Sequence, residues 1–165
     1  MTPEQIESLA WQKQDGLLPA VVQDAASLQV LMLGYMNREA LALTLASGRV
    51  CFFSRSRNRL WTKGESSGNT LQLVSVQADC DSDTLLVLAQ PSGPTCHLQR
   101  SSCFADAPAN FLTVLEKRIT DRKNADPAVS YSKRLMDSGL PKVAQKVGEE
   151  AVETVIAALV QDREA

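Results

Sequence analysis

The chain has 165 residues, 44% of them hydrophobic and 22% charged, enough apolar side chain for one globular domain, or one with a partial second, without disulfide staples. Lys and Arg number 17 against 19 Asp and Glu, and the formal net charge of -2 gives no global field favouring nucleic acid or an anionic membrane. No apolar run approaches the roughly 18 residues of a bilayer span and the N-terminus lacks a signal-peptide core, so a cytoplasmic protein with reduced cysteines is expected.

Thr2, Pro3 and Gln5 form a capping-box signature, and Ile6, Leu9 and Ala10 give the following helix, two to three turns within residues 1–13, an apolar stripe. Apolar runs at 17–22 and 28–35 flank the polar stretch 24–27 and predict a β-hairpin. Asn37 caps a helix over about 38–47, which Gly48 ends. Residues 50–54 read as a buried strand that carries Cys51 into the core. Segments 71–80 and 84–89 read as strands joined by the acidic turn Asp81-Ser82-Asp83. Residues 105–109 have linker composition, and beyond them Phe111, Leu112, Leu115 and Ile119, then Val143, Val147, Ala151, Val155 and Leu159, recur at helical spacing. The expected architecture is an α+β domain of strands, hairpins and flanking helices over 1–106, followed by a partial all-α domain over 110–165.

The densest chemical signal is Asp79-Cys80-Asp81-Ser82-Asp83. In an extended chain alternate side chains share a face, so the three aspartates would project to one side and Cys80 to the other. Converging carboxylates suit a hard cation such as Mg²⁺, and a thiol facing away suits zinc; a solvated acidic turn is the plain alternative. An EF-hand is excluded, because its sixth and twelfth positions hold Thr84 and Gln90. Cys96, His97 and Cys103 follow in a loop rich in Pro and Gly. Their spacing is not that of a zinc finger; with Cys80 they would make a three-thiol site whose fourth position stays open to water, the arrangement of catalytic zinc. Otherwise Cys96 and Cys103 are small buried hydrophobes. His97, the only histidine, would then be a general acid or base.

From Arg49 to Lys63, both included, there are five basic side chains and no acidic one, running into the Gly/Ser-rich stretch 64–69. Arginines fork onto phosphate oxygens, Gly-rich backbone approaches anions closely, and Trp61 offers a flat surface. The segment reads as a site for a phosphate-bearing small molecule with a nucleotide-like ring, the alternative being a basic hairpin facing solvent.

Ser54–Arg57, Leu60–Asn69, Asp79–Asp83 and Thr95–Phe104 together resemble phosphoribosyl-AMP cyclohydrolase, over roughly residues 15–104. The resemblance implies hydrolytic opening of the adenine ring at the C6–N1 bond in histidine biosynthesis. It implies a homodimer in which Cys80 of one subunit joins Cys96 and Cys103 of the other on zinc, and Mg²⁺ on Asp79, Asp81 and Asp83. His97 would move protons, while Arg55, Arg57, Trp61, Lys63, Gly64, Glu65, Ser67, Gly68 and Asn69 would hold the nucleotide. A competing reading is a structural-zinc module for a phosphorylated ligand or RNA, with Cys51 or His97 as fourth ligand.

In the tail Leu115-Glu116, Arg118-Ile119, Arg122, Ser130-Tyr131 and Lys146–Glu153 resemble the start of phosphoribosyl-ATP pyrophosphohydrolase. On a helix Glu149 and Glu153 lie one turn apart with Glu150 beside them, a spacing that can hold Mg²⁺ near a triphosphate. That family's Glu-x-x-Asp on a following helix has no counterpart before Ala165. The expectation is a truncated version of a bifunctional protein, with weak or no pyrophosphohydrolase activity.

Overall fold

A computed structural model describes residues 1–160. The N-terminal capping box forms, with Thr2 N donating to Gln5 Oε1 at 2.7 Å and Gln5 N to Thr2 Oγ1 at 3.3 Å. Helix α1 (Pro3–Glu7) is nevertheless only five residues long, shorter than its stripe predicts. The chain turns early because Trp11, 1% exposed, sinks its ring into the core and donates Nε1 to the Ile6 carbonyl at 2.8 Å. A 3-10 turn, Trp11–Gln14, follows.

Strands β1 (Leu18–Asp24) and β2 (Val30–Met36) form the expected antiparallel hairpin. Its turn is closed by Asp24 Oδ1, which accepts from Ala26 N at 2.8 Å and Ser27 N at 2.9 Å, an aspartate standing in for backbone. Asn37 accepts from Ala40 N at 2.8 Å and starts α2 (Arg38–Ser47), which Gly48 ends at φ 68°. Buried Thr44 accepts from Cys51 N at 2.9 Å and so fastens α2 to β3 (Cys51–Ser54), where Cys51 is a core residue. β4 (Arg59–Thr62) pairs antiparallel with β3, so the basic segment is a hairpin.

β5 (Leu71–Ala78) and β6 (Leu85–Pro91) are antiparallel, and the four-stranded sheet has the order β2-β1-β6-β5 with β1 and β6 parallel. Alternation places Leu18, Ala20 and Val22 of β1 and Leu85, Val87 and Ala89 of β6 in the core. The β3–β4 hairpin seats on β2 where Gly34 leaves room for the Phe52 ring; a Cβ there would meet that ring within 2.4 Å. That close approach fixes where the basic hairpin stands.

The chain divides into two compact units, Met1–Thr113 and Val114–Ala165. The later elements are α3 (Phe111–Arg122), α4 (Tyr131–Asp137) and α5 (Leu140–Val160). Ser130 caps α4, accepting from Lys133 N at 3.3 Å. No residue of α3 or α5 is buried, and the periodic apolar residues Val147, Val155 and Leu159 are exposed. Among the described residues no helix is long and apolar enough to cross a membrane.

Candidate active site

The first unit holds a cavity of about 430 Å³ in which the β3–β4 hairpin, the Gly/Ser stretch after it and the loop after β6 meet. The hairpin and its following turn supply Arg57, Trp61, Lys63, Gly64, Ser67 and Asn69, and the loop supplies Thr95, Cys96, His97 and Cys103. The structure thus brings the basic motif and the Cys-His motif to one place, which spacing alone did not require. Trp61 stands opposite Phe52 on the facing strand, with ring centroids 5.6 Å apart, so core packing holds one face of the indole.

Lys63 is only 8% exposed and has no carboxylate partner among the described residues. Lys63 lines the cavity with its Nζ 6.0 Å from the Trp61 ring centroid, so its positive charge is available to an anion entering there. The turn after it is built on glycine: Gly64 has φ 87° and a Cβ there would meet the Asn69 backbone at 2.6 Å. Gly68 N donates to Gly64 O at 2.9 Å, closing the loop that carries Ser67 and Asn69 to the rim.

The loop after β6 is pinned like a supplementary strand to β2. Cys103 N donates to Leu31 O at 2.8 Å, and buried Ser102 donates its hydroxyl to Val30 O at 2.7 Å. Within it Cys96 N donates to Arg100 O at 3.0 Å and Gln99 N to Cys96 O at 3.0 Å, a tight ring that places His97 beside the thiol. His97 Nδ1 lies 4.0 Å from Cys96 Sγ. The Leu98 backbone N–H, 3.5 Å from the same sulfur, and the Arg100 guanidinium at 3.9 Å hold the Cys96 thiol below its ordinary range, whereas burial pushes Cys103 up. Thr95 Oγ1 is buried and has no hydrogen-bond partner among the described residues.

Three residues expected to hold substrate stand apart from the cavity wall. Arg55 stacks its guanidinium 3.8 Å over the Tyr35 ring. Glu65 pairs with Arg59 at 2.6 Å, which holds its carboxyl below the usual range, and Gly68 serves the turn. Arg59, Ser66 and Thr95 also line the cavity; Arg59 belongs to the basic segment, and Ser66 and Thr95 lie inside the motifs Leu60–Asn69 and Thr95–Phe104, so all three were in reach of the sequence.

Asp79, Asp81 and Asp83 do converge, their carboxylate oxygens lying within 4.8 Å of one another. The cause differs from the one expected. β5 ends at Ala78, and residues 79–84 are a turn with Ser82 left-handed at φ 60°, so curling of the chain and not strand alternation gathers them. Asp79 Oδ1 accepts from Asp83 N at 3.0 Å and Thr84 N at 3.1 Å. Lys13 Nζ sits 2.5 Å from Asp81 and 3.2 Å from Asp83. Cys80 is exposed on this turn and, among the described residues, joins no ligating cluster with Cys96 and Cys103.

In the second unit Glu149, Glu150 and Glu153 lie exposed on α5. Lys146 reaches Glu149 at 3.4 Å and Glu150 at 2.9 Å, and Gln145 donates to Glu149 at 2.8 Å, holding that carboxyl low.

Residues 32–105 match the family model for phosphoribosyl-AMP cyclohydrolase, and residues 112–165 that for phosphoribosyl-ATP pyrophosphohydrolase. Similar proteins include three called histidine biosynthesis bifunctional protein HisIE. The one from Xanthomonas campestris pv. campestris is 59% identical over 94% of this chain and 76% of its own length. Those from Yersinia pestis and Escherichia coli K12 are each 58% identical over 99% of this chain and 81% of theirs.

Proposed function

The chain belongs to the bifunctional HisIE family of histidine biosynthesis, and from that premise we infer that the cavity of its first unit opens the purine ring of phosphoribosyl-AMP with zinc held between two copies of the chain. It is a hydrolase with cyclohydrolase and pyrophosphohydrolase activity, which corrects the expectation of weak or no pyrophosphohydrolase activity and sets aside the pure binding module.

The observation that carries the ring-opening reading is the meeting, in one cavity, of Lys63, a largely buried side chain with no carboxylate partner among the described residues, with the Cys96-His97 pair and Cys103. Lys63 and Arg57 take the phosphate end of the nucleotide and Trp61 lies along its base. His97 carries a proton between water and the departing N1 as the C6–N1 bond opens. Zinc, when bound, supplies the Lewis acid that makes water a nucleophile at neutral pH.

Thiols at Cys96 and Cys103 fit zinc, and the three gathered carboxylates fit Mg²⁺. An exposed Cys80 outside the Cys96–Cys103 pair supports a ligand set completed by a second copy, with a two-fold interface making two equal sites. In the second unit Glu149, Glu150 and Glu153 are the residues proposed to hold Mg²⁺ for phosphoribosyl-ATP hydrolysis.

Complementation tests the shared site. Cys80→Ser and the double variant Cys96→Ser/Cys103→Ser should each lose zinc and ring opening. Mixed and allowed to exchange subunits, they should recover about a quarter of wild-type activity, because half the dimers are mixed and each holds one intact site. No recovery in a sample shown to contain mixed dimers would refute the shared site.

A further inference from the structure

The acidic turn between β5 and β6 carries a cation supplied by the chain itself. Lys13 Nζ lies 2.5 Å from Asp81 Oδ2 and 3.2 Å from Asp83 Oδ2. The segment that delivers it is firmly placed: Trp11 is 1% exposed, and Ala10 N donates to the Ser82 carbonyl at 2.8 Å, tying that segment to the tip of the turn. Asp79 is fixed from the other side by Asp83 N and Thr84 N. The lysine side chain itself is 48% exposed on a flexible four-carbon stem, so its head can leave while Trp11 and the Ala10–Ser82 bond stay where they are. Lys13 also lies outside residues 32–105, the stretch matched by the cyclohydrolase family model.

We propose that Lys13 is a displaceable internal counter-ion: its ammonium bridges Asp81 and Asp83 in the metal-free chain and competes with a divalent cation for their oxygens. The inference rests on the reading of Asp79, Asp81 and Asp83 as a cation site. Three carboxylates within 4.8 Å repel one another unless a positive charge sits among them, and the ammonium meets that need with hydrogen bonds. A divalent ion on the same oxygens would lie within a few ångströms of the ammonium, and like charges that close exclude each other. Cation entry therefore expels Lys13 into solvent, and Lys13 weakens cation binding by the strength of the two exposed pairs it gives up, roughly tenfold.

Mn²⁺ titration of the full chain, with free Mn²⁺ read by electron paramagnetic resonance, tests this. The relevant binding component is the one that Asp81→Asn abolishes. Lys13→Met should tighten that component roughly tenfold, and Lys13→Arg, which keeps the charge, should leave it near wild type. In the wild-type chain the ¹⁵N signal of the Lys13 ammonium should move to the position of a free lysine as Mg²⁺ saturates. Unchanged or weaker Mn²⁺ binding in Lys13→Met, or a Lys13 signal that ignores Mg²⁺, would overturn the counter-ion role while leaving the cation site standing. Absence of any component sensitive to Asp81→Asn would overturn the cation site, and the inference with it.

Discussion

Lys63 is the residue whose surroundings point most directly to an anionic ligand, because it lines the cavity and has no carboxylate partner among the described residues. Lys63→Met should raise KM for phosphoribosyl-AMP roughly tenfold or more, with a smaller change in kcat, as expected for a lost charged contact to phosphate in steady-state assays. Asp81 behaves differently, since it faces solvent and its carboxyl is held below the usual range first by its hydrogen bond from Lys13. A carboxyl lowered in the folded state stabilises fully above its unfolded pKa and loses that contribution as pH falls through the lowered folded value. Lys13 is raised by the same pair, so its contribution persists through neutral pH and disappears only as strongly alkaline conditions deprotonate it. Urea midpoints of wild type and Lys13→Met should accordingly differ at neutral pH and converge in strong acid. Residue types and motifs were legible in the sequence. That Arg55 would stack on Tyr35 and Glu65 would pair with Arg59, neither lining the cavity, was not, because a motif fixes order along the chain and not the direction in which a side chain leaves a hairpin.

Local elements followed local chemistry closely. Asn37 and Gly48 bound α2 at the positions their cap chemistry dictates, and Asp24 closes the β1–β2 turn. Asn37→Ala should cost about 1 kcal/mol of stability, measured by chemical denaturation. Gly34→Ala tests a different kind of constraint, since its Cβ would strike the Phe52 ring at 2.4 Å and push the β3–β4 hairpin off β2. That substitution should cost about 1–3 kcal/mol, and because the hairpin carries Trp61 and Lys63 it should also weaken nucleotide binding. Where an element departed from its pattern, tertiary contact was the reason. Helix α1 stops at Glu7 so that Trp11 can enter the core, and the strand expected to run to Cys80 ends at Ala78 so that the acidic turn can curl.

At the scale of the molecule the two activities divide between the family regions matched at 32–105 and 112–165. Incubated with phosphoribosyl-ATP and Mg²⁺, the Cys96→Ser variant should stop at phosphoribosyl-AMP, whereas Glu149→Gln should leave ring opening of supplied phosphoribosyl-AMP intact, both followed by chromatography of the products. The α+β character of the first region and the helical character of the second were readable from periodicity, because period-two and period-3.6 patterns are properties of the chain alone. The same periodicity predicted the helix that α5 forms, and on it Val147, Val155 and Leu159 are exposed, since an apolar stripe is buried only where a partner surface meets it. By itself the sequence determined the caps, the hairpin, the cysteine, histidine and aspartate motifs and the family they resemble, all of them consequences of short-range spacing. Only the tertiary structure decided the parallel pairing of β1 with β6, the meeting of the basic hairpin with the Cys96-His97 loop, the separation of Cys80 from that pair and the seating of Lys13 on the acidic turn. Those are contacts between residues far apart in the chain, fixed by burial of the shared core and not by any local pattern.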